Sequence, residues 1–282
     1  MITPLSPLPD NSEATMPNHH RTSTPLPPRF AMPSPFTWGV ALIFLALFIQ
    51  GVMATNLTLE RLLRGGVNLV HFIGRAFPPD LADLDVLAWS MFETLNIAIV
   101  GVTIGVILSL PFALLAARNT SPAPWIRSIT RLMIATMRTI PDLIWALIFV
   151  VAVGLGPIAG VLAIVMDTIG FAARFFSERI EEVHPGPSEA LSATGAGRLS
   201  VIGGAILPET LASMTATSLY SVEKALRSAV TLGLVGAGGI GVELAAAMRL
   251  FNYDRALTII LVILIVVIGF EQLSSQIRKR VI

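Results

Sequence analysis

The chain contains no cysteine, which excludes disulfides and thiolate metal sites. Histidine is scarce too: His19, His20, His71 and His184 are too scattered along the sequence to nominate a metal site. Charged residues make up 13% of the 282 residues, against roughly 25% in an average soluble domain. The formal net charge of +1 argues against a nucleic acid or other polyanionic partner. Several motifs are absent as well. Without GxxxxGK[ST] the chain does not itself bind ATP through a P-loop, and without HExxH, GxSxG or a close carboxylate pair a membrane-embedded enzyme finds no support.

What is present is apolar sequence. Hydrophobic residues account for 54% of the chain, and its mean hydropathy is +0.76. The apolar runs are long enough to cross a bilayer, which takes about 20 residues per helix and forces the backbone to satisfy itself internally. The expected fold is therefore an all-α integral membrane protein of about six transmembrane helices. Its spans run near Thr37–Thr55, Trp89–Ala117, Ile140–Val153 (approached by helix from Ile129), Ile158–Phe176, Thr210–Ser228 and Ala256–Leu273. Residues 1–36 hold nine of the nineteen prolines and read as a disordered cytoplasmic tail. A secretory signal peptide competes there, but Arg21 and Arg29 come late and the apolar run that follows is long enough to stay as an anchor. Residues 37–88 read as the first span and a periplasmic connection, with a surface helix before Pro78-Pro79. Arg118, Arg127, Arg131 and Arg138, with no acid until Asp142, mark one connection as cytoplasmic. Arg174 and Arg179 mark another, and Arg278-Lys279-Arg280 the end, so both termini are expected inside.

On that same side lies the polar, glycine-bearing segment Pro185–Pro208, PGPSEALSATGAGRLSVIGGAILP, between the fourth and fifth spans. Pro185, Gly186 and Pro187 are expected to stop the preceding helix, Ser188 and Glu189 to start a new one, and Pro208 to open the next. Small residues (Ala190, Ala193, Gly195, Ala196, Gly197) allow close backbone approach, and Glu189 offers one oriented charge; a glycine-rich turn without a partner is the plainer alternative.

Glu189-Ala190, Gly195 and Leu207-Pro208, at these spacings, resemble the EAA loop of ABC importer permeases. Two positions depart from that pattern: Leu191 stands where a second alanine is usual, and the isoleucine is Ile206, one place late with Ala205 in its slot. Three further stretches resemble the phosphonate and phosphite subgroup of these permeases: Arg138–Trp145, Phe171–Glu178 and Arg227–Gly241. The resemblance covers roughly residues 90–275, with residues 89–282 as the permease core. It implies a cytoplasmic coupling helix that docks on an ATPase subunit through Glu189, Ala190, Gly195, Leu207 and Pro208. It also implies two cytoplasmic ABC ATPase subunits carrying ATP and Mg, a periplasmic substrate-binding protein, a second permease copy or paralogue, surrounding lipid, and no cofactor on this chain.

Charges inside spans need stated roles. Lys224 and Arg227 lie one turn apart near the outer end of the fifth span, where they can meet an entering oxyanion; the alternative is that Arg227 simply pairs with Glu223, four residues away. Asp142 and Arg174, at similar depth, are expected to form a structural ion pair. Asp167 invites either a proton relay or a packing role with Thr168 or a neighbouring helix. Gly236-Ala-Gly238-Gly239-Ile-Gly241 matches GxGxxG literally, but without the strand and soluble βαβ unit that fingerprint needs. Beside spans it reads as a break lining the substrate path or gate, or as close helix packing. Gly101 and Gly105 carry a weak packing signal. The residues thus point to the transmembrane subunit of an inner-membrane ABC importer for a small phosphorus oxyanion such as phosphonate, phosphite or hypophosphite. Its rivals are an ABC permease for another small solute such as an amino acid, and a proton-coupled secondary transporter using Asp167 and Asp142.

Overall fold

The computed structural model describes residues 35–281, with side chains through Lys279, and the expected disordered tail lies almost wholly outside them. Eleven helices and no strand occur among the described residues. Five helices are long and apolar enough to cross a membrane, or six when a bent pair counts as one span.

The chain divides into two compact units, 1–65 and 66–282. The first holds α1 (Pro35–Ala54), a 20-residue apolar helix with no buried residue. The chain crosses into the second unit within α2 (Leu59–Ala76), the amphipathic helix expected before the prolines. In its second-unit part, Phe72 and Arg75 meet the Tyr253 ring at 4.9 and 4.8 Å.

The second unit is organised by α3 (Leu84–Ala116) packed along α6 (Pro157–Glu182). A side chain at Gly101 would come within 2.7 Å of Ile164, and one at Gly105 within 2.6 Å of Thr168. The two glycines, one turn apart, thus let the helices meet at backbone distance, and Ile97, Val102, Ala163 and Ile164 fill the seam. Ser109 donates back to Gly105 O, so its buried hydroxyl stays satisfied inside the seam.

The third span is not one straight helix. α4 (Pro124–Thr139) and α5 (Asp142–Val153) meet at 90° across Ile140-Pro141. Proline removes a helical donor and pushes its predecessor out of the α region, so the chain turns there. Beyond a turn at Gly154–Gly156, α6 continues to Glu182, past the expected end at Phe176.

The segment that follows corrects one expectation and bears out another. α7 (Pro185–Ala193) begins at Pro185 itself, with His184 as its cap accepting from Gly186 N at 3.1 Å. Proline at the first helical position gives up a donor that would be unpaired anyway, so here it starts a helix and does not merely stop one. Pro208 falls in the first turn of the next helix, as expected, but no break precedes it. α8 (Arg198–Val201) passes through a π-helical turn, Ile202–Ile206, directly into α9 (Leu207–Gly233). The π turn closes with Leu207 N donating to Ile202 O, just ahead of the proline that has no donor.

A glycine-rich turn leads from α9 to α10 (Ile240–Arg249), a short helix absent from the expected series, and α11 (Tyr253–Val281) is the last span. Arg255 at its start reaches Glu243 of α10 at 3.2 Å and Asp83 before α3 at 3.3 Å.

Candidate functional site

α7 is an exposed helix with no buried residue, held between the ends of two packed spans. Glu189 and Ala190 lie exposed on it, Gly195 follows at φ 82°, and Leu207 and Pro208 begin α9. Both departures from the EAA pattern have structural counterparts. Leu191 packs against Gly204, where an added side chain would come within 3.2 Å of it, so the larger residue on α7 faces a vacated position in the π turn. Ala205 and Ile206 are both buried, and Ile206 joins Phe176, Ile180 and Met214 in one apolar cluster, so the displaced isoleucine still anchors the segment.

Two polar ties hold the segment to the bundle and a third lies beside it, none of them foreseen in the sequence. Arg198 donates through Nη2 to Thr120 O at 3.2 Å and to Ser121 O, joining α8 to the turn between α3 and α4. Glu209 on α9 accepts from His184 N at 3.4 Å, linking both feet of the segment. Glu181, near the end of α6, accepts from Arg118 N and from Arg131 Nη2 of α4, the latter at 2.6 Å. These bonds link the end of α6 to the α3–α4 turn and to α4, α8 to the same turn, and the start of α7 to α9.

Deeper in the bundle, Lys224 Nζ lies 2.8 Å from both oxygens of Asp167 and 5.1 Å from the Phe171 ring centroid. Lys224 stands nine residues before the end of α9 and Asp167 ten after the start of α6, each about 14–15 Å of helix rise inward. Both are part of the helix middle, so Lys224 is not near the outer end. With both oxygens engaged, Asp167 is bound to a neighbouring helix as one of its alternatives held. Glu223, only 7% exposed, accepts from Arg227 at 3.2 Å and from Arg278 of α11 at 3.3 Å. The Glu223–Arg227 alternative is thus present, and it extends to a third residue. The Arg227 side chain is still 51% exposed.

The expected Asp142–Arg174 pair is not formed. Arg174 donates from Nε to Glu178, one turn along its own helix, and Asp142 accepts from Leu143 N at 2.9 Å. Similar depth does not set azimuth, and the α4–α5 bend leaves Asp142 at a helix start, where its charge is favourable.

Gly236, Gly238 and Gly239 are packed against other parts of the bundle. Gly236 O accepts from Gly156 N at 2.9 Å, and Thr94 Oγ1 accepts from Ile240 N at 2.8 Å. All three glycines have φ between 73° and 87°, and a side chain at Gly238 would come within 3.0 Å of Pro157. The turn needs both the left-handed backbone and the missing Cβ, as close packing requires. No group of metal-ligating residues occurs among the described residues.

Residues 109–281 match the family described as the binding-protein-dependent transport system inner membrane component. The putative phosphite transport system permease protein HtxC of Stutzerimonas stutzeri is 35% identical over 241 residues, covering 86% of each chain. The phosphate-import permease protein PhnE of Mycolicibacterium smegmatis is 39% identical over 231 residues; the match takes in 82% of this chain but only 43% of that longer protein. Among solved structures, the MetNI methionine ABC transporter in inward-facing conformations aligns with a TM-score of 0.64 at 20% identity, over 72% of this chain and 99% of that one. The fold is therefore shared well beyond the close relatives. The chain belongs to the binding-protein-dependent transport system inner membrane component family, as a multi-pass, inner-membrane permease subunit of an ABC importer.

Proposed function

We propose that this permease moves a small phosphorus oxyanion, such as phosphonate, phosphite or hypophosphite, across the inner membrane. A periplasmic binding protein delivers the solute, and two cytoplasmic ATPase subunits, which hold ATP and Mg, act on α7. Both chain termini then lie in the cytoplasm, and a second permease, identical or paralogous, completes the pathway. The observation that carries the coupling role is α7 itself: an exposed helix whose cap residue His184 donates to Glu209 of α9, and whose neighbour α8 is tied by Arg198 to the turn between α3 and α4, so that it can pass rigid-body motion into α6 and α9. The substrate class is supported by the phosphite and phosphate transport named in the relatives and by cations within the spans. Arg227, half exposed and only singly engaged by Glu223, keeps donors for a bidentate oxyanion contact. The secondary-transporter reading falls with family membership, and an amino-acid permease remains the rival within the class.

Proteoliposomes containing the permease, its ATPase and its binding protein test this directly. ATP-dependent uptake of phosphite or methylphosphonate is expected, and uptake of methionine alone would overturn the substrate class. Arg227→Gln should lower oxyanion uptake in a normally assembled complex; unchanged uptake removes Arg227 from the pathway.

A further inference from the structure

Two of the stretches singled out in the sequence, 138–145 and 171–178, meet in space at a cavity that the coupling segment does not use. It measures about 380 Å³ and lies between α4 and α6. Arg131, Arg138 and Arg174 line it, with Glu178, Glu181 and the Thr139 hydroxyl at its wall. The charges do not cancel, since three guanidiniums face two carboxylates for a formal +1. Glu181 is taken by Arg131 and Glu178 by the Nε of Arg174. Arg138 makes no hydrogen bond or ion pair among the described residues, and the terminal nitrogens of Arg174 are equally unengaged. Each guanidinium presents N–H groups in a planar fork matched to carboxylate and phosphate oxygens.

The placement of Arg138 is built into the fold. A side chain at Gly170 would come within 2.9 Å of Arg138 N and 3.1 Å of Met137 C, so the last turn of α4 reaches α6 only because residue 170 is glycine. That contact brings Arg138, exposed and without a partner among the described residues, to the same cavity as the glutamate-paired Arg131 and Arg174. The volume falls at the small end of ligand sites.

We propose that this cavity is a second anion site of the permease, separate from the span interior, that binds the phosphate-type oxyanion group through Arg138 and Arg174. On the proposed topology it opens at the cytoplasmic end, where two sources present that chemistry: free oxyanion on the inner side, or the phosphodiester of an anionic phospholipid. The lipid source is within reach, because Trp125, Ile129, Leu132 and Met133 on the opposite face of α4 are apolar and exposed. Only the topology depends on the import reading; binding to the isolated permease is measured without transport, so failure of one leaves the other standing.

The full chain, purified in detergent free of phosphate, is titrated with inorganic phosphate by calorimetry, and its melting is compared in phosphatidylglycerol and phosphatidylcholine nanodiscs. With free oxyanion as the source, phosphate binds, and Arg138→Gln and Arg174→Gln each weaken it about tenfold or more. With lipid as the source, phosphate has no effect, phosphatidylglycerol raises the melting temperature, and the same two variants abolish that rise. Arg127→Gln, on α4 but outside the cavity, leaves either response unchanged. Gly170→Ala keeps every charge but displaces Arg138, and it should weaken binding as Arg138→Gln does. The proposal is overturned if neither ligand acts, if Arg138→Gln matches the parent chain, or if Arg127→Gln weakens binding equally, since diffuse surface charge then explains the effect.

Discussion

α6 and α7 are separated only by Val183 and His184, yet they are built to opposite rules. α6 buries roughly half of its 26 residues, with small residues at Ala159, Gly160, Ala163, Ala172 and Ala173 that let α3, α4, α5 and α9 close on it. α7 buries none of its nine, although Glu189 and the alanines around it could have packed had the chain folded inward. A bundle that must hold together in lipid puts its small residues where helices meet, and the same residue types on an exposed helix leave room for another protein's backbone. On the proposed coupling, the difference separates the parts of the molecule that resist motion from the part that receives it.

The comparison breaks most severely at the α3–α6 seam. Gly105→Leu drives a side chain into Thr168, and overpacking of this kind commonly destabilises by about 1–3 kcal/mol or more. A large fall in melting temperature in detergent, with loss of assembled complex, is expected; a melt like the parent's would show the seam to be looser than its geometry.

A smaller effect is expected at the ion pair inside the bundle. Lys224→Met leaves Asp167 without a partner, and since the two side chains are 35% and 21% exposed the loss should be about 1–2 kcal/mol, below that of a fully buried pair. Adding Asp167→Leu should recover most of it, and losses that simply add in the double variant would show that the two residues do not stabilise one another.

Smaller still is the tether of the coupling segment. Arg198→Ala removes the donor to Thr120 O and Ser121 O, and the global melt should move by about 1 kcal/mol or less because the group is exposed. Amide exchange across 198–206 should nevertheless rise, and unchanged exchange there would mean that α8 is held by Ile206 and its apolar neighbours alone.

The spans were legible because hydropathy is a one-dimensional signal: α1, α3, α6, α9 and α11 each contain the run expected of them to within one residue. What was not legible depended on direction around a helix. Asp142 and Arg174 share a depth but not a face, whereas Asp167 and Lys224, 57 residues apart, share both. The bend at Ile140-Pro141 turned one expected span into two helices, and α10 went unseen because Glu243 and Arg249 interrupt any apolar run. In the segment between α6 and α9, Glu189, Gly195 and Leu207-Pro208 could be picked out by their spacing. The residues that tie the segment down, Arg198, His184 and Glu209, form no local pattern. The start of α7 was placed at Ser188 and not at Pro185 because proline both ends one helix and can begin the next, and only its cap, His184, tells that it does so here.

The change with the least expected effect on stability is the sharpest test of the contrast between the two helices. Glu189 is exposed and makes no contact that holds α7 in place, so Glu189→Lys should alter the melt by less than about 0.5 kcal/mol. Gly195→Asp adds strain at φ 82°, but into open space with no neighbour within 4 Å, and aspartate is among the residues that tolerate that region. In the proposed complex both should leave ATP hydrolysis by the partner running while substrate uptake falls about tenfold or more, because a reversed charge or a misdirected turn at the docking face breaks contact without loosening the bundle. If both variants transport normally, force does not enter through α7. The exposed helix would then be only a connection, and its lack of buried residues would reflect the absence of anything to pack against.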